Sequence, residues 1–175
     1  MLFITSGACR ESAVPDFKIA RNNPNLYIVE GRWYYGGRPF NGHIHEDQSS
    51  NLVLSDMPVK DGLPHGTFVG FYDNGQKMIE NTFVHGILDG QSNRWWRNGK
   101  YRYTLFYRNN QLDGTQRAYF ICGKIREEAN YLNGALEGIQ RVWDENGQLI
   151  SNYTIKDKRI YGIVKVQSCI PGAEH

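Results

Sequence analysis

Apolar and polar positions alternate along much of this chain, most plainly at Tyr101, Tyr103, Leu105 and Tyr107 and again at Leu149, Ser151, Tyr153 and Ile155. A period of two sends successive side chains to opposite sides of an extended backbone, so these stretches read as strands with one covered face. No segment keeps a helical period of 3.6. Between the alternating runs stand clusters of Gly, Asn and Asp, residues that tolerate the positive φ of tight turns.

These features recur in one register. Gly42, Gly66, Gly90, Gly114, Gly138 and Gly162 lie 24 residues apart, and Gly75, Gly99, Gly123 and Gly147 keep the same spacing behind Asn74, Asn98, Cys122 and Asn146. Two rows of large residues keep step: Phe71, Trp95, Tyr119 and Trp143, and Tyr35, Val59, Phe83, Tyr107, Tyr131 and Ile155. A fixed period of this length marks a repeat architecture. Within one unit, Gly66 opens a strand ending near Tyr72, Asp73-Asn74-Gly75 turns the chain, and a return strand runs to about Val84. Asn-Gly between strand-like runs is a strong hairpin signal.

The expected fold is therefore all-β, an elongated antiparallel meander of tandem 24-residue hairpins. Each unit advances the array by roughly 10 Å, two strand spacings. Residues 1–25 read as a tail and linker, 26–168 as the repeat domain and 169–175 as a C-terminal tail. Leu26 to Tyr35 is expected as an incomplete first unit and Ile163 to Val166 as a terminal strand, together covering the open edges. The unit from Gly42 to His65 lacks the Asn-Gly, and Asp47 to Asn51 is expected to form a looser loop.

Composition adds little that conflicts. Nineteen Gly suit many tight turns, and 13% aromatic residues suit a thin structure held by large rings. A formal charge of +2 gives no global reason to expect nucleic acid or an anionic membrane as partner. No run approaches the ~20 apolar residues of a membrane span. The start, Leu2-Phe3-Ile4-Thr5-Ser6-Gly7-Ala8-Cys9, has two readings: the end of a lipoprotein signal with Cys9 as the lipidated residue, or a plain tail. The first implies an extracytoplasmic, membrane-attached protein, the second leaves a cytoplasmic location open.

The unit Gly-x4-Trp-x2-Asn-Gly-x7-Tyr-x6-Gly, as it runs from Gly90 to Gly114, resembles the repeat of the bacterial MORN-repeat-variant family. The opening Tyr34-Tyr35-Gly36-Gly37-Arg38-Pro39-Phe40-Asn41-Gly42 looks like a first repeat common there. Cys122 in place of the turn Asn and Asn110 in place of a turn Gly depart from the pattern. The resemblance implies a non-enzymatic binding protein. In YwqK-type members it implies an antitoxin, an immunity protein that neutralises a cognate, secreted toxin by direct contact. A structural or membrane-associated adaptor is the alternative, and single-stranded nucleic-acid binding a distant third.

Candidate chemistry is sparse. His43-x-His45 offers two imidazoles on one strand, but a structural metal site usually wants four ligands, so no metal and no cofactor is expected. No spacing brings together a nucleophile, a base and an orienting group, so no catalytic residue is expected. Cys122 and Cys169 are 47 residues apart, close to two repeats, which places them roughly 20 Å apart. That is too far for a disulfide, which needs Cα atoms within ~7 Å.

Positions filled alike in every unit serve folding, and Gly66, Gly90, Gly114 and Gly138 with Phe71, Trp95, Tyr119 and Trp143 form that structural set. Positions filled unusually in one unit are candidates for function. The third unit stands out with Arg94-Trp95-Trp96-Arg97 and Tyr101 to Arg108. Trp96 has the opposite parity to Trp95 and is expected on the other face in a ladder with Tyr72 and Phe120. Arg97, Arg102 and Phe106 complete the expected partner-binding set, since Trp, Tyr and Arg are enriched at interface hot spots.

Overall fold

A computed structural model describes residues 13–46 and 55–163, and among these there is no helix. The strands are β1 (Lys18–Ala20), β2 (Leu26–Val29), β3 (Arg32–Tyr35), β4 (Arg38–Pro39), β5 (Gly42–Glu46) and β6 (Ser55–Lys60). They continue with β7 (Leu63–Pro64), β8 (Gly66–Phe71), β9 (Lys77–Val84), β10 (Ile87–Trp95), β11 (Tyr101–Arg108) and β12 (Gln111–Leu112). The last are β13 (Gly114–Tyr119), β14 (Ile125–Leu132), β15 (Ala135–Trp143), β16 (Leu149–Lys156) and β17 (Arg159–Ile163). From β5 onward each strand pairs antiparallel with its neighbour in sequence, giving one long sheet in the order β5-β6-β8-β9-β10-β11-β13-β14-β15-β16-β17. The all-β hairpin meander is thus the fold.

Two kinds of turn alternate along it. The turn holding Asn74-Gly75 is a three-residue loop. Gly75 N donates to Tyr72 O at 2.9 Å, Tyr72 N donates to Gln76 O at 2.8 Å, and only Gly75 has positive φ. This is a type I turn closed by a left-handed residue. The same bonds recur around Gly99, Gly123 and Gly147. The two-residue turns lie at the opposite edge, at Asp61-Gly62, His85-Gly86, Asn109-Asn110, Asn133-Gly134 and Asp157-Lys158, with both residues at positive φ. So the expected Asn-Gly hairpin signal marks a real turn of a different type.

The turns also bind the units to one another. On the two-residue edge, the N–H groups of Gly62, Gly86, Asn110 and Gly134 donate at 2.7–2.9 Å to the carbonyls of Phe40, Pro64, Leu88 and Leu112, always 22 residues back. On the other edge, Asn74 Nδ2 donates to Arg97 O at 3.0 Å and Asn98 Nδ2 to Ile121 O at 2.9 Å, both 23 residues ahead. The turn asparagines therefore serve as stitches between units, besides accepting the local N–H of Gln76 or Lys100.

The 24-residue glycines sit where strands bend. Gly66, Gly90, Gly114 and Gly138 each pair across the ladder with the large residue 17 positions on: Phe83, Tyr107, Tyr131 and Ile155. Gly42 pairs in the same way with Val59. At Gly42 the absence of a side chain is obligatory, because its φ is +147° and a Cβ would lie 2.3 Å from the Phe17 carbonyl oxygen. Where the chain breaks between β12 and β13, Gln116 fills the gap in the ladder. Its Oε1 accepts from Phe106 N at 2.6 Å, and its Nε2 lies within bonding distance of the Phe106, Asp113 and Gly114 carbonyls. Gln140, one repeat on, does the same for Asn130 N and O.

The N-terminal part differs from the expected layout. Leu26 to Tyr35 is not the first hairpin of the main sheet: β2, β3 and β4 form a small sheet of their own. The edge of the main sheet is covered instead by β1, which runs parallel to β5 with Lys18 opposite His43. Packed structure accordingly begins inside the expected linker, before residue 26. Ile19, Leu26, Phe40, Ile44 and Val59 make a closed core there, with Trp33, Tyr35 and Met57 against it. A parallel strand needs a crossover, and a three-residue strand without periodicity gives no signal of its own. At the far end β17 stops at Ile163, so most of the expected strand 163–166 lies outside the described residues. So do the loop from Asp47 to Asn51, Cys9 and Cys169. Cys122 is free and exposed.

Replacing Gln116 or Gln140 by Ala leaves an enclosed backbone N–H without its acceptor. The expected loss is about 1–3 kcal/mol for each, read as a lowered urea midpoint. Unchanged midpoints in both variants would show that the side-chain amides do not complete the ladder.

Candidate binding surface

A sheet of one layer presents two faces, and the ladder register assigns residues to them, since directly paired residues share a side. One side carries Tyr103, Leu105 and Tyr107 with their partners, and is the tyrosine face. Across it run pairs of large residues, Phe83 with Leu88, Tyr107 with Leu112, Tyr131 with Leu136 and Ile155 with Ile160. Leu136 and Ile160 are 38% and 56% exposed and the other six members are half-buried, so this apolar stripe stays partly open to solvent among the described residues. The opposite, polar face carries a row crossing seven strands: Glu80, Asn93, Thr104, Arg117, Glu128, Arg141 and Asn152. Glu128 there takes Arg117 at 2.9 Å and Arg141 at 3.0 Å.

The expected structural row Phe71, Trp95, Tyr119 and Trp143 is only half-buried. Each member stands at a register shift, where Met78, Arg102, Arg126 and Ile150 are the extra residues on the partner strand. Trp95 stacks on Tyr101 with centroids 5.4 Å apart, Tyr101 leans on Tyr119 at 6.1 Å, and the Lys77 ammonium lies 5.5 Å from the Trp95 ring centre. Trp95 and Tyr119 are thus joined through Tyr101 on a partly open surface, and no second layer among the described residues encloses the row.

Of the expected partner-binding residues, Tyr72, Trp96 and Phe120 occupy the same place in successive units. Tyr72 Oη donates to Trp95 O at 2.8 Å, and Trp96 Nε1 to Tyr119 O at 3.3 Å, so both rings also clasp the next unit. The Arg102 guanidinium lies 4.6 Å from the Trp96 ring centre and 5.5 Å from that of Tyr103. Arg97 pairs with Asp73 and covers the Tyr72 ring at 5.1 Å. Phe106 does not join them. It pairs with Gln91, three residues beyond Tyr103 in a regular stretch, and so points to the other face. Parity read from the sequence fails here because Arg102 is an extra residue in its strand.

The Tyr–Leu stripe was missed by the sequence reading. Its signal was present, since Leu88, Leu112, Leu136 and Ile160 also lie 24 residues apart, each five after a large residue of the second row. Elsewhere, His43 Nδ1 lies 3.0 Å from both carboxylate oxygens of Asp56. Among the described residues no three His, Cys, Asp or Glu side chains gather as a metal site.

Residues 64–85 and 136–157 match the family model described as MORN repeat variant. These two segments are similar to the MORN repeat variant. The two matches begin 72 residues apart (136 − 64), three periods of 24, and each spans two strands around a three-residue turn. The hairpins between them have the same two kinds of turn. Comparison with curated proteins gives no match.

Half-burial lowers the expected cost of truncating the aromatic row. Trp95, Tyr119 or Trp143 to Ala should each cost about 1–3 kcal/mol, below the ~3–5 kcal/mol of a fully enclosed ring. Chemical unfolding of the three variants checks this, and losses beyond that range would mean the row is enclosed.

Burial holds the Tyr131 hydroxyl above its ordinary pKa near 10, with Glu127, Tyr153 and Tyr107 adding to the rise. A raised folded-state value favours the protonated fold, so this contribution is present below pH 10 and is lost as pH rises through the folded value. Tyr131→Phe is expected to flatten the fall in stability above pH 10, read from melting temperatures across that range. An identical decline in the variant would assign the effect elsewhere.

Proposed function

We propose that this protein is an immunity protein, one that neutralises a cognate toxin by occupying its surface. The observation that carries the reading is the open tyrosine face. Its apolar pairs repeat through four units along the edge of the two-residue turns and stay partly open to solvent, and the Trp96–Arg102 stack stands at the opposite edge of the third unit. Contiguous exposed apolar surface rimmed by polar groups marks protein interaction sites. Aromatic and Arg side chains are the usual anchors of such sites.

Energetics support the same choice. Stitches on both edges hold the sheet before any partner arrives, so little ordering cost falls on association. A flat array of hairpins meets a standard interface of ~1,600 Å² without needing a pocket. The resemblance to YwqK-type antitoxins gives the toxin as the class of partner, and an adaptor that joins other proteins is the alternative use of the same face.

Co-expression tests the reading. Cells carrying this protein should survive the product of a toxin gene encoded beside it. Arg102→Ala with Leu136→Ser should weaken protection while the melting temperature stays near that of the parent. Equal killing with and without the protein would sink the immunity reading and favour the adaptor.

A further inference from the structure

The fourth unit has a hole where its neighbours have side chains. Ala129 is 8% exposed and occupies the place held by Leu105 one repeat earlier and Tyr153 one repeat later. Beside it, across the ladder from Ala118 (6% exposed), the fourth unit carries Glu127 where the third has Tyr103. The two alanines form the floor of a hollow of about 160 Å³ on the tyrosine face, walled by Tyr103, Leu105, Leu112 and Tyr131 with Glu127 at its rim. That is below the ~300–1,000 Å³ of pockets that take whole small molecules. It is the scale of one long side chain.

The carboxylate at the rim is weakly engaged. Its one ion pair among the described residues, to Arg126, is 4.0 Å long and both side chains are more than 40% exposed. Glu128, its neighbour on the polar face, by contrast holds two guanidinium groups at hydrogen-bond distance. The Arg117 side chain, whose strand passes under the hollow, is one of those two and is occupied on the other side. A negative rim over an apolar, aromatic-walled hollow suits a residue with an apolar stem and a cationic head.

We propose that this hollow receives an arginine or lysine side chain of a bound protein. The stem lies along Tyr103, Leu105, Leu112 and Tyr131 over the alanine floor, and the head pairs with Glu127. The inference rests on the reading of the tyrosine face as a protein-binding surface and names the chemistry of the partner's anchor.

The test is an amide NMR titration of the intact chain with N-acetyl-arginine amide, with N-acetyl-norleucine amide as the uncharged control. Shifts should centre on Ala118, Glu127 and Ala129, and norleucine should bind at least about tenfold more weakly, the combined worth of a cation–π contact and one ion pair. Glu127→Gln should remove the preference for arginine. Ala129→Leu, which restores the side chain of the preceding unit, should abolish binding with the melting temperature unchanged or raised. Absent shifts, equal response to norleucine, or indifference to both variants would overturn the proposal. Arginine binding in a protein that gives no protection in co-expression would sink the toxin reading alone. Protection undiminished in both variants, with no arginine binding, would sink the arginine site alone.

Discussion

Beyond the small core at its N-terminal end, the sheet among the described residues is a single layer and cannot bury its faces against a second one, the usual source of stability in a domain. The hairpins from β8 onward therefore depend on how each unit is fastened to the next. The fastening is mostly made of backbone. On one edge Gly62, Gly86, Asn110 and Gly134 each donate to a carbonyl 22 residues back, and on the other Asn74 and Asn98 donate forward by 23. Both bonds require the turn to hold a particular conformation, which explains why turn residues, more than core residues, carry the repeat. Stability in such an array is a sum of units and nearest-neighbour terms, and the seams decide it.

One seam is different. Cys122 stands where Asn74 and Asn98 make their forward bonds, and a thiol cannot both accept from the local N–H and donate to the next turn as an amide does. At that seam Lys124 Nζ reaches Glu145 O at 3.0 Å instead. A flexible ammonium replaces a fixed amide, so the fourth and fifth hairpins are joined on that edge through a side chain with more freedom to lose. The hollow at Ala118 and Ala129 lies in the same fourth unit, which thus departs from its neighbours in its turn residue, its floor and its charge.

Much of the architecture was legible because period and alternation are properties of sequence alone. The glycine series and the two rows of large residues follow from spacing, and from Gly42 to Gly138 each glycine meets a member of the second row in the ladder. What could not be read was set by events off the period. The strand from Lys18 to Ala20 is short, parallel and remote from its partner, so no local pattern announces it. The bulge at Arg102 inserts one residue into a strand, and parity counted through it sends Phe106 to the wrong neighbours while leaving Trp96, Tyr72 and Phe120 correctly aligned. The stripe of Leu88, Leu112, Leu136 and Ile160 was within reach. Its aliphatic residues keep the same 24-residue period as the aromatic rings. The hollow was not, because Ala118 and Ala129 look unremarkable until the register shows them side by side.

The fixed offsets of the two edges have a further consequence for how such a protein changes length. A residue inserted into a single hairpin would shift one edge against the other, and donors on at least one side would meet the wrong carbonyls. Removing or adding a whole 24-residue block leaves both offsets intact. The sheet therefore behaves like a ruler with one graduation. Its surface lengthens by duplication, and a copied hairpin arrives already in register, free to exchange its outward side chains for a new partner while its turns remain as they were.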